Sequence, residues 1–337
     1  MLKNMLKKNI LVTGCAGFIG FHAAKKLLTD GHLVIGLDNL NDYYDVNLKN
    51  TRLGILKKFN NFIFYQLDLK NHQDIVKLAD KHQDIQLILH LAAQAGVRYS
   101  LVNPFAYTDS NIIGQVAILE LARNLKNLEH LAYASSSSVY GANKKLPFAT
   151  EDRVDTPISL YAATKKSCEL ISYCYSHLFG IRVTGLRFFT VYGPWGRPDM
   201  SAFIFTKAIL NNQKIPVYNY GDMRRNFTYI DDIISGTINC LFSVNNVDAQ
   251  NNNLSNVYNL GNNRAESLMD FISELERQLG KKAEIDFQPM QPGDVKETIA
   301  DISASEEDFG FAPKTNIAEG LKNFVAWYKE YYGAYVH

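Results

Sequence analysis

The feature that most constrains the fold is an alternation of short apolar segments with stretches of helical periodicity in the first half of the chain. Helical spacing is clear in Ile19, Ala23 and Leu27. Strand–helix alternation predicts a parallel sheet that is covered by helices on both faces. The predicted buried strands are Ile10–Val12, Leu33–Leu37, Phe62–Leu67, Leu87–Leu91, Leu131–Ala134 and Arg182–Leu186.

A glycine-rich turn joins the first predicted strand to the first helix. Gly14, Gly17 and Gly20 are spaced three apart, which permits a tight turn and close approach of the backbone to a pyrophosphate at a helix N-terminus. The second strand ends at Asp38, whose carboxylate is placed to accept hydrogen bonds from an adenosine ribose. Because its charge would repel a 2′-phosphate, Asp38 favours NAD over NADP. The predicted cofactor contacts are Gly14, Gly17, Phe18, Ile19, Gly20, Asp38, Asn39, Asp68, Leu69, Ala92 and Ala93.

The predicted architecture is α/β, a Rossmann-type doubly wound parallel sheet with a smaller mixed α/β lobe. A length of 337 residues suggests about two lobes. We assign residues 1–190, with a return near 228–262, to the cofactor domain. Residues 191–337 are assigned mainly to a substrate lobe that is interleaved with it. Further elements are predicted in the second half: a strand at Val257–Leu260, a helix capped by Ser267 and ending at Gln278, a helix at Asn316–Tyr332, and a surface loop at Asn245–Asn256.

Composition excludes several classes of partner. Lys plus Arg (35) nearly equals Asp plus Glu (34), and a net charge of +1 gives no field for nucleic acid or an anionic membrane. No stretch of about 18 apolar residues is present, and the apolar run before Thr13 is too short for an export signal. Four cysteines without metal-type spacing predict reduced thiols, no metal site and a cytoplasmic location.

Tyr161 and Lys165 stand four residues apart in a helical pattern, so their side chains share one face. A lysine ammonium beside a phenol favours the phenolate, a base able to accept a hydroxyl proton near neutral pH. The fifth predicted strand runs into Ser135–Ser138, whose hydroxyls could bridge a substrate oxygen and the tyrosine. Such a pair alone is typical of any helix face. Its position after the serines and a dinucleotide motif favours a catalytic role.

These motifs together resemble those of the extended short-chain dehydrogenase/reductases, over nearly the full length of the chain. The resemblance implies that Gly14, Gly17 and Gly20 form the pyrophosphate loop, that Asp38 is the ribose acid, and that Tyr161 and Lys165 are the catalytic pair. The catalytic hydroxyl of that family is usually three positions before the Val of Val139-Tyr140-Gly141, which implies Ser136, with Ser138 as the alternative.

Three segments are similar to those of UDP-glucuronate 4-epimerases: Gln94–Ser100, Arg187–Met200 and Gln291–Val295. A uronate carboxylate held away from water needs a guanidinium or several donors. Arg197 is the first choice for that contact, with Thr190 in support and Arg98 as a possible second contact. The resemblance implies that Arg225 holds the nucleotide diphosphate. The predicted substrate contacts are Ser136, Ser138, Arg98, Thr190, Arg197, Arg225 and Asp294.

The resemblance implies reversible 4-epimerisation of UDP-glucuronate to UDP-galacturonate through a 4-keto sugar, with tightly bound NAD. Related dehydratases and decarboxylases carry an acid where this chain has Ser137 and Ser138, which favours epimerisation. Two alternatives stay open: a 4-epimerase of a neutral or N-acetylated UDP-hexose, and a non-catalytic binding or regulatory protein on the same fold. The resemblance also implies a homodimer that pairs the helices Ser110–Arg123 and Tyr161–Phe179.

Overall fold

The computed structural model describes residues 6–243, 254–291 and 294–333. A seven-stranded, all-parallel sheet forms the centre, in the order β11-β6-β5-β4-β1-β2-β3. Its strands are β1 (Asn9–Thr13), β2 (Leu33–Asp38), β3 (Phe62–Gln66), β4 (Leu87–His90), β5 (His130–Ser136), β6 (Val183–Phe188) and β11 (Ser255–Leu260). The predicted parallel sheet is confirmed.

In the described parts of the chain, three two-stranded sheets lie outside the central one: β7 with β10, β8 with β13, and β9 with β12. Their strands are β7 (Thr190–Tyr192), β8 (Ile215–Tyr218), β9 (Arg224–Arg225), β10 (Phe227–Tyr229), β12 (Glu266–Ser267) and β13 (Ile285–Gln288). All six begin at or after Thr190, close to residue 191, where the predicted smaller lobe begins. The predicted loop at Asn245–Asn256 lies largely outside the described residues, and its last two residues belong to β11.

Some helices cover both faces of the central sheet, and others pack on one another and on the two-stranded sheets. They are α1 (Phe18–Thr29), α2 (Val46–Leu56), α3 (His72–Val76), α4 (Leu78–Lys81), α5 (Pro104–Tyr107), α6 (Gly114–Arg123), α7 (Leu160–Phe179), α8 (Ser201–Leu210), α9 (Ile230–Phe242), α10 (Leu268–Leu279), α11 (Ser303–Phe309) and α12 (Ile317–Gly333). The second group includes α8, α10 and α12. Short 3₁₀ turns occupy Arg98–Leu101, Ser137–Tyr140 and Asn219–Gly221. No helix in the described ranges is long and apolar enough to cross a membrane.

Strand pleating explains why the strands are apolar throughout. Ile10 and Val12 of β1 join one hydrophobic core, whereas Leu11 between them joins a second core on the opposite face. Strand β3 departs from the prediction of a buried strand, because most of its side chains are partly exposed. Among the described strands it is the last in the order and pairs with β2 alone, so it forms one edge of the sheet.

Helix ends follow local sequence signals. Ser267 caps α10 by accepting from the amides of Met269 and Asp270, as predicted. Ser159 caps α7 in the same way, and Gly180 ends it in the left-handed conformation at φ 67°. The cap at Ser159 fixes the start of α7, and therefore places Tyr161 in its first turn.

The predicted helix Ser110–Arg123 differs from the structure at its start. Thr108–Ile113 is π-helical and passes directly into α6. Asn111 in this segment is buried, accepts from the backbone amide of Gln94 at 2.8 Å and donates to the hydroxyl of Thr164 at 3.0 Å. The wider turn accommodates this buried side chain, which ties the segment to α7 and to the loop after β4.

Candidate active site

One cavity of about 860 Å³ opens at the carboxyl ends of the central strands, where sheets of this type bind ligands. The strand order reverses direction between β1 and β4, and the loops after these strands line the cavity. Every residue that the sequence predicts for the site lines it: Gly14, Gly17, Phe18, Ile19, Gly20, Asp38, Asn39, Asp68, Leu69, Ala92, Ala93, Arg98, Ser136, Ser138, Tyr161, Lys165, Thr190, Arg197, Arg225 and Asp294.

The glycine-rich turn leaves space that a larger side chain would fill. Gly14 has a φ of +69°, and a Cβ atom there would stand 2.8 Å from the amide nitrogen of Ala92. A Cβ atom on Gly20 would collide with the carbonyl oxygen of Gly14. The backbone around the start of α1 is therefore compact and open to the cavity, which suits close contact with a pyrophosphate.

Asp38 stands at the end of β2 and is nearly buried. Its two carboxylate oxygens accept from the backbone amides of Ala16 at 3.0 Å and Leu40 at 2.9 Å. Each oxygen keeps lone pairs for further donors, such as the two hydroxyls of a ribose. Asn39 donates to Asp68 at 3.2 Å, which joins the ends of β2 and β3 at the same place. These residues fit the adenosine half of NAD.

The pair on α7 lies against the serine-rich end of β5. Lys165 is almost fully buried, and its Nζ donates to the carbonyl oxygen of Ala134 at 2.8 Å. The ring of Tyr161 packs edge-on against Tyr107, with centroids 6.0 Å apart. The hydroxyl of Ser136 lies 3.2 Å from the hydroxyl of Ser138. The structure thus brings a phenol, an ammonium and two hydroxyls to one wall of the cavity.

A buried ion pair that the sequence analysis missed supports this wall. Glu169 of α7 accepts from Nε of Arg187 at 2.8 Å and from the hydroxyl of Ser135 at 2.7 Å. Arg187 also donates to the hydroxyl of Tyr140 at 3.0 Å. Although burial favours the neutral acid, hydrogen bonds from Arg187 hold the pKa of Glu169 below its ordinary value. This network fastens α7 to β5 and β6 beside Ser136.

Arg197 lies in a cluster of charged and phenolic groups. Its Nε donates to Oδ1 of Asp199 at 3.0 Å, and its Nη2 donates to Oδ2 of the same carboxylate. The hydroxyl of Tyr43 donates to Asp199 Oδ2 at 3.1 Å. Burial opposes the charge of Arg197, but the carboxylate of Asp199 outweighs it and raises the arginine pKa. Asp199 lies in the segment Arg187–Met200 that resembles the UDP-glucuronate 4-epimerases, but the sequence alone assigned no role to Asp199 or to Tyr43.

A second charged cluster is built around Asp294. Its Oδ1 accepts from Nη2 of Arg225 at 3.1 Å, and its Oδ2 lies 3.6 Å from Nη2 of Arg98. The guanidinium of Arg98 also lies over the ring of Tyr218, 4.5 Å from its centroid. The structure therefore groups Arg98 with Arg225, whereas Arg197 is bonded to Asp199. Cysteine, histidine and acidic side chains form no metal-type cluster within the described parts of the chain.

Further lining residues lack a local sequence signal. Lys49 of α2 donates to the backbone and side-chain oxygens of Asn41, each at 2.6 Å, and thereby orders the loop after β2. The apolar part of the cavity lining is formed mainly by the smaller sheets and the helices beside them. Its side chains are Ile204, Phe205, Pro216, Tyr218, Met223, Phe227 and Leu268.

Comparison with known proteins gives a consistent result. The family model of GDP-mannose 4,6 dehydratase matches residues 11–324. Protein CapI of Staphylococcus aureus is 51% identical, covering 96% of this chain and 99% of its own. A probable UDP-glucuronate 4-epimerase of Rhizobium meliloti is 45% identical, covering 96% of this chain and 97% of its own.

One similar protein has been solved with ligands bound. UDP-glucuronic acid 4-epimerase from Bacillus cereus, in complex with UDP-glucuronic acid and NAD, superposes with a TM-score of 0.87 at 36% identity. The match covers 96% of this chain and all of that one. The sheet, the cavity and the motifs agree with these similarities. The chain belongs to the GDP-mannose 4,6 dehydratase family of extended short-chain dehydrogenase/reductases, within which it is similar to the UDP-glucuronate 4-epimerases.

Proposed function

We propose that this protein is an NAD-dependent UDP-glucuronate 4-epimerase, which interconverts UDP-glucuronate and UDP-galacturonate. The observation that carries the proposal is the guanidinium of Arg197, which lines the same cavity as Tyr161 and the glycine-rich turn. A carboxylate-bearing sugar that reaches Tyr161 would thus meet a cation able to bind it through two hydrogen bonds. The similarity to the Rhizobium meliloti and Bacillus cereus proteins supports the same substrate.

NAD is held by backbone amides around Gly14, Gly17 and Gly20 and by Asp38, whose charge disfavours the 2′-phosphate of NADP. When bound, it accepts the hydride from carbon 4 of the sugar and returns it to the opposite face. Asn39, Asp68, Leu69, Ala92 and Ala93 line the same cavity. We assign the first three to the adenine side of the cofactor and the two alanines to the stretch beside it.

Tyr161 is the acid–base group. It takes the proton of the 4-hydroxyl as the 4-keto sugar forms, and gives the proton back after the sugar has turned over. The ammonium of Lys165, on the same helix face, stabilises the phenolate. Ser136 or Ser138 donates a hydrogen bond to the reacting oxygen. Because the proton and the hydride are both returned, no net oxidation occurs.

The remaining polar groups bind the other parts of the substrate. Arg225, with Arg98 and Asp294 beside it, holds the nucleotide diphosphate. Thr190, at the start of β7, supports Arg197 at the uronate. We assign cofactor binding to residues 1–190, with the return at 228–262, and substrate binding mainly to 191–337. Strand β11 and helix α9 support this division, because they rejoin the central sheet.

Competing reactions need groups that are missing from the relevant positions. Elimination or decarboxylation would require a carboxylic acid where Ser137 and Ser138 stand. A neutral UDP-hexose would leave the ion-paired Arg197 without a role in the cavity. A non-catalytic binding protein would have no use for the conjunction of Tyr161 and Lys165 beside a dinucleotide turn.

Nuclear magnetic resonance of UDP-glucuronate incubated with the purified protein tests the proposal. We expect signals of UDP-galacturonate to grow to an equilibrium mixture, without added reductant and without release of carbon dioxide. Starting from UDP-galacturonate should give the same mixture. Conversion of UDP-glucose or an N-acetylated UDP-hexose, with UDP-glucuronate left unchanged, would overturn the assignment.

We also propose a homodimer in the cytoplasm. Large apolar side chains are exposed on α7 and before α6, including Leu170, Tyr173, Leu178 and Phe105, as expected for an interface between copies of the chain. The cytoplasmic location is proposed because the four cysteines, which have no disulfide partner among the described residues, suit a reducing compartment.

One chain has a mass of 38.1 kDa, and light scattering of the purified protein should give twice that mass. The variant Leu170→Glu places a charge on the exposed face of α7, and we expect it to be monomeric at micromolar concentration. Phe287→Glu alters a comparably exposed side chain on β13 and should remain dimeric. A monomeric wild-type protein would contradict the proposal.

A further inference from the structure

The pairing of Arg197 with Asp199 uses one edge of the guanidinium and leaves another available. Asp199 binds the side edge, through Nε and one hydrogen of Nη2. The end edge, formed by Nη1 and the second hydrogen of Nη2, has no hydrogen-bond partner among the described residues. Because a guanidinium is planar and rigid, fixing its side edge also fixes the direction of its end edge.

Asp199 is itself held from the other side. The hydroxyl of Tyr43 donates to Asp199 Oδ2, and the ring of Tyr43 packs against Tyr99 with centroids 4.9 Å apart. Gly96 has a φ of +97°, and a Cβ atom there would collide with the Tyr43 hydroxyl. The phenol therefore occupies a narrow, defined place between the loops after β2 and β4.

The pairing with Asp199 also sets the charge and the direction of the Arg197 guanidinium. The side chains of Arg197 and Asp199 are only 22% and 29% exposed. Without a partner, a guanidinium at such a place would be poorly solvated, and its direction would not be fixed. Although burial favours the neutral acid, the charge of Arg197 holds the pKa of Asp199 below its ordinary value. The pair is therefore ionised at neutral pH.

We propose that Asp199 is a positioning residue for sugar specificity: it holds Arg197 by the side edge so that the end edge is presented to the uronate carboxylate, and Tyr43 fixes Asp199 in turn. This rests on the proposed function, because it assigns the end edge of Arg197 to the carboxylate at carbon 6. It also links the specificity group to the loop that follows the ribose acid Asp38. Carboxylate recognition thus involves three side chains, two of which do not touch the sugar.

Weakening the pair of Arg197 and Asp199 should affect UDP-glucuronate and UDP-glucose differently. In Asp199→Asn the amide can accept only one of the two guanidinium hydrogen bonds, and its own NH₂ faces a like donor. Arg197 then loses its fixed direction, and UDP-glucuronate should bind about tenfold more weakly, since one charge-assisted hydrogen bond is of that order. UDP-glucose carries a neutral hydroxymethyl group instead, so its affinity should change by less than about twofold, within ordinary additivity error. Tyr43→Phe should act in the same direction with a smaller effect.

Calorimetric titration of the NAD-loaded, full-length proteins with both sugar nucleotides measures these affinities, and thermal unfolding checks each variant. Selective loss of UDP-glucuronate affinity supports the proposal. Equal losses for the two ligands, unchanged affinity, or tighter binding of UDP-glucuronate would overturn it, the last because Asp199 would then compete with the substrate. If Asp199→Asn fails to fold, Tyr43→Phe decides by the same criteria. Wild-type protein that does not prefer UDP-glucuronate would instead refute the proposed function.

Discussion

Tyr161→Phe lowers kcat for UDP-glucuronate by at least about a hundredfold, the usual scale of general acid–base catalysis. The substitution removes the hydroxyl that takes and returns the proton of the 4-hydroxyl, while the ring keeps its packing against Tyr107. Substrate and NAD affinities should change little, because the loss falls on the transition state rather than on binding. Initial rates and calorimetric titrations on the same preparation separate the two effects.

A matched control is available on the same helix. Tyr175 of α7 donates its hydroxyl to Glu120 at 2.7 Å and does not line the cavity. Tyr175→Phe therefore removes a phenolic hydroxyl from α7 without touching the reaction, and its kcat should stay close to that of the wild type. If Tyr161→Phe keeps more than about a tenth of the wild-type turnover, another group is the base.

Arg197→Ala lowers kcat/KM for UDP-glucuronate by two to nearly four decades. Removing one partner of a buried charge pair costs about 3–5 kcal/mol, and each 1.4 kcal/mol corresponds to a factor of about ten. Because Arg197 is partly exposed, we expect the lower half of that range. The structure adds a second cause: without the guanidinium, the carboxylate of Asp199 remains in the cavity wall and repels the uronate.

Comparison of two substrates and two variants identifies the group that Arg197 contacts. Any activity on UDP-glucose should be nearly untouched in Arg197→Ala, because that sugar has no carboxylate. Arg197→Lys keeps the positive charge but lacks the planar group that binds a carboxylate through two hydrogen bonds. Its kcat/KM for UDP-glucuronate should therefore lie between those of Arg197→Ala and the wild type. Equal losses for both substrates would mean that Arg197 binds phosphate, and an unchanged rate for UDP-glucuronate would mean that it binds nothing in the reaction.

The amino-acid sequence by itself predicts the central sheet and the cofactor half of the site. Apolar runs mark the strands, and the turn at Gly14 and the acid Asp38 follow directly from β1 and β2. These signals are readable because each depends on residues close together in the chain or on a regular period. The pair Tyr161 and Lys165 belongs to the same class, since four residues on one helix fix their common face.

Other features were decided only by the tertiary structure. Tyr43 and Asp199 are 156 positions apart, and Arg225 and Asp294 are 69 apart, so no periodicity links either pair. The side chains of β3 are partly exposed because the strand order places β3 at the edge of the sheet. The sequence shows which charged groups are present, but a charge acquires its partner only when the sheet order brings distant loops to one cavity. The sequence alone predicts that Arg197 binds a carboxylate. Which edge of its guanidinium faces the cavity depends on Asp199 and Tyr43, which only the tertiary structure places beside it.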